Sequence, residues 1–245
     1  MGTFTLERGK ALAGGRYGVV ENWEAVKEKI AIFSQRGGRN PEDIKVVAVT
    51  KGVEVSKIED AISLGLVSLG ENRVQEALKK MPLLPRGIKW HFLGRVQRNK
   101  VKKVVEFFQY LHSLDSIDRG EELNNRARDL SKKFPVLIQV NLTGRETQGG
   151  VKEKELLSLV YQVVKLSHLE LRGLMTIGPL GGEEQEVRKV FSRLRELKEE
   201  VNREMPQITN FQELSMGMSD DFPWAILEGA TILRLGRAIF GERGK

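Results

Sequence analysis

Short apolar runs alternate with helix-period segments along most of this chain. From Val20 to Arg36, the apolar residues Trp23, Val26, Ile30 and Phe33 recur every three or four positions, which predicts an amphipathic helix that stops at the turn GGRNPED. Beyond it each apolar run is followed by a helical pattern: VVAVT then SKIEDAISLG, LVSLG then NRVQEALKKM, KWHFLG then QRNKVKKVVEFF, YLHSL then SIDRGEELNNRARDLSKK. The order continues with PVLIQVN then KEKELLSLVYQVVKL, LELRGLMTIG then EEQEVRKVFSRLRELKEEVN, FQELSMG then DDFPWAILEG, and finally TILRLG. Strands separated by helices pair in parallel through crossovers, and eight such units close into an α/β fold of the (β/α)8 TIM barrel type. The last helix would have to come from AIFGERGK, which is short, so the additional N-terminal helix is expected to cover that side. Residues 1–15 lack the pattern and read as an N-terminal extension of flexible character; residues 16–245 read as a single barrel domain.

A barrel of this kind keeps its chemistry at the C-terminal ends of its strands, and phosphate groups commonly sit on the loops after the last two. Here the first end is VVAVTKG, where an apolar run stops at Lys51. A lysine stem often carries its charge into water; held in a pocket, an unpaired ammonium costs several kcal/mol, and a covalently modified amine becomes plausible. The last two ends, ELSMGMSDDF and ILRLGRAIFG, suit an anion. Ser215, Gly217 and Ser219 let backbone amides approach a phosphate, Ser219 or Asp220 would cap the next helix, and Gly236 lies between Arg234 and Arg237. A lysine opposite such a cradle describes a site for a phosphorylated carbonyl compound: pyridoxal 5'-phosphate (PLP), or a sugar phosphate cleaved by a lysine-dependent aldolase.

Composition narrows the classes. The chain is 40% hydrophobic and 30% charged, ordinary for a folded globular protein. It has no cysteine, which excludes disulfides, thiolate nucleophiles and cysteine-ligated metals. No apolar stretch is long enough for a signal peptide core or a membrane span, so a cytoplasmic location is expected. The net charge of +7 favours anionic partners. Its densest basic cluster, Arg95, Arg98, Lys100, Lys102 and Lys103, reads as the solvated face of an amphipathic helix rather than a nucleic-acid patch. His91, His112 and His168 are too far apart for a local metal motif; His112 and His168 read as structural or surface residues, and His91 as a residue that either lines the pocket or packs. Glu71 and Asp115 read as polar strand caps rather than as a catalytic pair.

The segments VVAVTK, LGENRVQEALKK, KWHFLGRVQRNKVK, LHSLDS, LIQVN, LRGLMTIGP, LSMGMSDDF and ATILRLGRAIFG, in this order and spacing, resemble the pyridoxal-phosphate homeostasis protein family, single-domain relatives of the alanine racemase barrel. The resemblance runs from about Asn22 to Gly241. It implies that Lys51 carries PLP as a Schiff base, that Ser215, Gly236 and Arg237 help hold the phosphate, that Arg234 faces the pyridine nitrogen, and that Asn72 and Met175 lie near the ring. The implied role is buffering or delivery of PLP, with PLP-dependent apo-enzymes as acceptors, no nucleic acid or membrane partner, and a monomer or weak dimer. Little or no turnover is expected. An arginine cannot take a proton from the pyridinium and leaves the ring a weak electron sink, and the opposing acid or base of a racemase would come from an added domain for which no residues remain. A PLP-dependent amino-acid racemase is the alternative. Two positions depart from the family: Gly52 where a threonine is expected, and Gln148 where relatives often have lysine.

Overall fold

The computed structural model describes residues 18–206 and 209–242; the N-terminal extension expected over residues 1–15 lies outside them. Each apolar run is a strand: β1 (Lys45–Val49), β2 (Ser68–Glu71), β3 (Lys89–Phe92), β4 (Tyr110–Leu114), β5 (Phe134–Asn141), β7 (Leu169–Met175), β8 (Glu213–Ser215) and β9 (Ile232–Leu235). They pair in the order β1-β2-β3-β4-β5-β7-β8-β9, and β9 closes on β1 with every pairing parallel. This is the closed barrel that the alternation predicts. The two-residue β6 (Val151–Lys152) hangs on β5 outside the ring, and a strand so short has no hydropathy signature.

The helices between the strands are α2 (Val55–Ser63), α3 (Val74–Lys80), α4 (Val101–Phe107), α5 (Ile117–Asp129), α6 (Leu156–Val163), α7 (Glu184–Glu204) and α8 (Phe222–Leu227), with α1 (Val19–Arg36) before them and α9 (Arg237–Phe240) after. Among the described residues no helix is long and apolar enough to cross a membrane. The main core lies between strands and helices, where Ala48, Leu69, Leu111, Ile138 and Leu233 meet Ile58, Leu123, Leu159 and Phe191. A separate small cluster, Val47, Leu137, Met175 and Ile232, fills the barrel itself, as the period-two alternation of strands requires. Tyr110 and Ile177 pack against that cluster, and the buried polar residues His91, His112, Ser215 and Arg234 lie on the interior-facing strands β3, β4, β8 and β9.

With only four residues, α9 cannot cover its side of the barrel, and α1 does. It buries Val19, Val26 and Ile30, and the buried Asn22 side-chain amide donates to the Ile239 carbonyl at 3.0 Å, tying the first helix to the last. Asn22→Ala strips that acceptor of its partner, and a loss of about 1–3 kcal/mol in urea denaturation is expected. An unchanged midpoint would show that α1 is held by its apolar face alone.

The basic cluster departs from its expected place. Helix α4 begins only at Val101, so Arg95 and Arg98 precede it. They turn instead to carboxylates of the neighbouring unit, Arg95 to Asp115 at 3.4 Å and Arg98 to Glu122 at 2.5 Å. These exposed pairs contribute little stability, but they draw the two charges away from the helix face.

Candidate functional site

At the C-terminal end of β1 the backbone on both sides of Lys51 is pinned from beneath by α3. The Lys80 ammonium donates to the Thr50 carbonyl at 2.6 Å and to Glu71 Oε1 and Glu76 Oε1, both at 2.7 Å. The Gly52 amide donates to Glu76 Oε1 at 2.5 Å, and the Thr50 hydroxyl to Glu71 Oε1 at 2.6 Å. Lys51 itself is half-buried in the turn. Gly52 has φ 69°, a left-handed conformation that glycine adopts without strain and a β-branched residue resists. The departure from threonine thus matches the local backbone.

Burial pushes the Glu71 carboxyl up, against the opposing hydrogen bonds of Lys80 and Thr50, and its buried Oε2 has no hydrogen-bond partner among the described residues. Glu71 Oε1 is held by Lys80 and Thr50, and Asp115 pairs with Arg95 at 3.4 Å. Asn72 is exposed at the end of β2. Its carbonyl presses on Gly94, where a Cβ would sit only 2.3 Å from it, which explains the glycine after β3. Met175 lies in the interior cluster beside Val47, Leu137 and Ile232.

Arg234 is buried on β9 and crosses the mouth side of the barrel. One guanidinium nitrogen donates to Ser215 Oγ at 2.7 Å and the other to the Thr176 carbonyl at 2.8 Å; both partners are neutral. Burial pushes the guanidinium down to about 10 while the Asp221 carboxylate pulls the other way, so it remains a cation at neutral pH. A buried cation with no carboxylate bonded to it is costly unless something else draws on its field, which makes this arginine a candidate ligand contact.

Ser215 closes β8. Its hydroxyl is held between Arg234 and His112 Nδ1, the latter at 2.8 Å, and it is fully buried rather than turned to an anion at the surface. Ser219, in the loop that follows β8, has a half-buried oxygen that accepts from the amides of Gly236 at 3.3 Å and Ala238 at 3.0 Å. Neither Ser219 nor Asp220 caps α8, which follows Asp221; the Asp221 side chain turns back to accept from the Met218 amide at 2.5 Å. Arg237 opens α9. Its side chain is exposed and paired with Asp220 and, at 3.4 Å, with Glu242, because those carboxylates flank it on the surface. Only its main chain stays beside Gly236 in the loop.

Two contributors, Thr176 and Lys80, are not singled out by sequence, and His112, which sequence reads as structural or surface, is fully buried in the barrel. For His112 a signal exists, since the alternation in YLHSL puts Tyr110 and His112 on the face opposite Leu111, and a polar face within an apolar run marks side chains that turn into the barrel. His91 joins it, with Nδ1 at 2.9 Å from His112 Nε2; His168 lies at the surface end of β7's loop, its amide bonded to Asn124. In the loop after β5, Gln148 donates to the Ile177 carbonyl at 3.0 Å and accepts from Thr143 at 2.5 Å, so it fastens that loop at the mouth where a lysine would present a charge.

Comparison with known proteins places these residues in context. Residues 22–244 match the model of the alanine racemase N-terminal domain. A protein of Aquifex aeolicus named pyridoxal phosphate homeostasis protein is 41% identical over 224 residues, covering 91% of this chain and 97% of that one. The structure of PipY from Synechococcus elongatus with PLP bound superposes with a TM-score of 0.78 at 36% identity, over 88% of this chain and all of the other (100%). An alanine racemase of Clostridium difficile shares the fold at 15% identity, with a TM-score of 0.72, and this chain covers 57% of it.

Proposed function

Because the chain belongs to the pyridoxal phosphate homeostasis protein family, within the wider alanine racemase N-terminal domain family, we propose that it binds PLP as a Schiff base on Lys51 and buffers or delivers it within the cytoplasm. The observation that carries this reading is Arg234, a buried donor with only neutral partners. A pyridine nitrogen is a neutral acceptor that such a cation can meet without being neutralised. The residues present fit the cofactor. Lys51 is the amine, and Arg234 meets the ring nitrogen. The Ser219 hydroxyl with the loop amides around Gly236 and Arg237 takes the phosphate, in place of Ser215 and of the Arg237 guanidinium. Asn72 and Met175 border the ring. When bound, the cofactor supplies a reversible carbonyl attachment. The chain's own part is to anchor it, shield it and leave its ring nitrogen without a proton donor strong enough to charge it. That last feature argues for a carrier over a racemase.

The test is borohydride reduction of PLP-loaded protein followed by peptide mass mapping, with alanine racemisation and reactivation of a PLP-dependent apo-enzyme measured in parallel. A pyridoxyl group on Lys51, cofactor transfer to the apo-enzyme and no sustained racemisation are expected. Continuous interconversion of alanine enantiomers that disappears in Lys51→Ala would replace the carrier reading with the racemase one.

Ser219→Ala separates the phosphate assignment from the rest. Removing one hydroxyl from a charged ligand costs about 1.5–3 kcal/mol, so PLP affinity should fall by roughly 10- to 150-fold while pyridoxal, which lacks the phosphate, is bound as before. Equal losses for the two ligands in equilibrium dialysis would remove Ser219 from the phosphate site.

A further inference from the structure

Beneath Arg234 the barrel holds a line of polar groups that no apolar packing demands. Arg234 donates to Ser215 Oγ at 2.7 Å, Ser215 Oγ is 2.8 Å from His112 Nδ1, and His112 Nε2 is 2.9 Å from His91 Nδ1. The line crosses four strands, β9, β8, β4 and β3, and both imidazoles are buried. Its direction follows from donor counting. A guanidinium only donates, so Ser215 accepts there and keeps one proton to give. If His112 also donated to Ser215, the serine proton would need a third acceptor, and among the described residues Ser215 Oγ has only these two partners. The arrangement that gives each of these three contacts one donor and one acceptor is therefore Ser215 O–H to His112 Nδ1, then His112 Nε2–H to His91 Nδ1.

From this geometry, and resting on the proposed PLP site, we infer that Ser215, His112 and His91 form a one-directional hydrogen-bond chain that positions Arg234 as a donor to the ring nitrogen of the cofactor. Ser215 and His112 are then positioning residues acting through Arg234. The chain must stay uncharged to work, since an imidazolium at His112 would donate from both nitrogens and face the Arg234 cation. Burial supplies that condition, pushing His91 down to about 4 and His112 well below the ordinary imidazole range, with Arg234 and His91 lowering His112 further. Around His91 the Glu213 carboxylate opposes the shift, and Lys45 and Lys89 reinforce it. Tyr110 stacks on His91 at 5.2 Å and hydrogen-bonds to Glu213, which in turn pairs with Lys45 at 2.7 Å, so that carboxylate is engaged elsewhere.

The chain contains only three histidines, so full-length protein labelled with 15N-histidine can be read directly by long-range proton–nitrogen correlation, with His168→Gln assigning the surface residue. His112 and His91 are expected to carry their proton on Nε2 and to leave Nδ1 bare between about pH 6 and pH 8, around the ordinary imidazole value. A proton on His112 Nδ1, or an imidazolium there, overturns the inference. In a second arm, PLP labelled with 15N in the ring is bound to wild type, Ser215→Ala and Ser215→Thr. The ring nitrogen should read unprotonated in wild type, move toward the protonated position in Ser215→Ala, and return in Ser215→Thr, which restores the hydroxyl. A signal unmoved by Ser215→Ala overturns the link to the ring. Failure of wild type to take up PLP at all would overturn the functional reading and the ring contact together, while the tautomer arm still decides the direction of the chain.

Discussion

Lys51→Ala is expected to abolish the visible absorption band of PLP-loaded protein and the pyridoxyl adduct recovered after borohydride, both completely. The expectation follows from chemistry: a Schiff base needs a primary amine, and no spectator group replaces it. Other lysines are plentiful, but Lys80, which reaches the carbonyl of the residue before Lys51, is spent on that Thr50 carbonyl and on Glu71 and Glu76. It therefore cannot substitute without dismantling the turn that carries Lys51. Noncovalent PLP should persist in the variant, because Arg234 and Ser219 are untouched, with an absorption resembling the free aldehyde. A full-strength band in Lys51→Ala would return this lysine to a solvated strand end and move the attachment elsewhere.

The second large effect is on stability. Lys80 and Glu71 form an ion pair at 2.7 Å whose side chains are 10% and 0% exposed. Lys80→Met leaves the Glu71 carboxylate buried with Thr50 as its remaining hydrogen-bond donor, and breaking one side of such a pair costs about 3–5 kcal/mol. For a chain of this size that is roughly 6–20 °C in Tm. The pH dependence has a definite sign. Burial already places the folded-state Glu71 pKa above its unfolded value, and loss of Lys80 moves it higher. Such a group favours the fold while protonated, so its contribution is present below the unfolded carboxylate value and is lost as pH rises through the folded one. The deficit of Lys80→Met should accordingly be largest near neutral pH and shrink toward about pH 5, as seen in urea midpoints at the two pH values. Glu71→Gln in the same background should recover much of it. A deficit independent of pH, with no recovery in the double variant, would show that Lys80 acts only through its stem. Because Lys80 also holds the Thr50 carbonyl, the single variant should load PLP more weakly than its residual stability explains.

The architecture was legible in the sequence because it rests on short-range periodicity. A run such as VVAVT, followed by SKIEDAISLG, records a strand and a helix within some fifteen residues, and seven repetitions of that signal with an eighth apolar run leave a closed parallel barrel as the economical solution. The position of Lys51 at a strand end followed from the same register, and so did the anion-suited loops after β8 and β9. Less visible were boundaries such as the start of α4 at Val101, which follows a 3-10 turn over Arg98–Lys100 rather than continuing the helical pattern back to Gln97.

The sequence by itself thus determined the barrel, the location of its mouth and the lysine set there. Only the tertiary structure decided which of two serines four residues apart serves which partner, Ser215 turned to Arg234 and His112, Ser219 to the amides of Gly236 and Ala238. It also decided that the Arg237 guanidinium belongs to the surface while Arg234 is interior. Ser215 and His112 stand 103 residues apart in the chain. Local periodicity tells which face of a strand a side chain takes, but a hydrogen bond across the barrel depends on how eight strands are staggered when the sheet closes, and that stagger is a property of the closed ring rather than of any one segment.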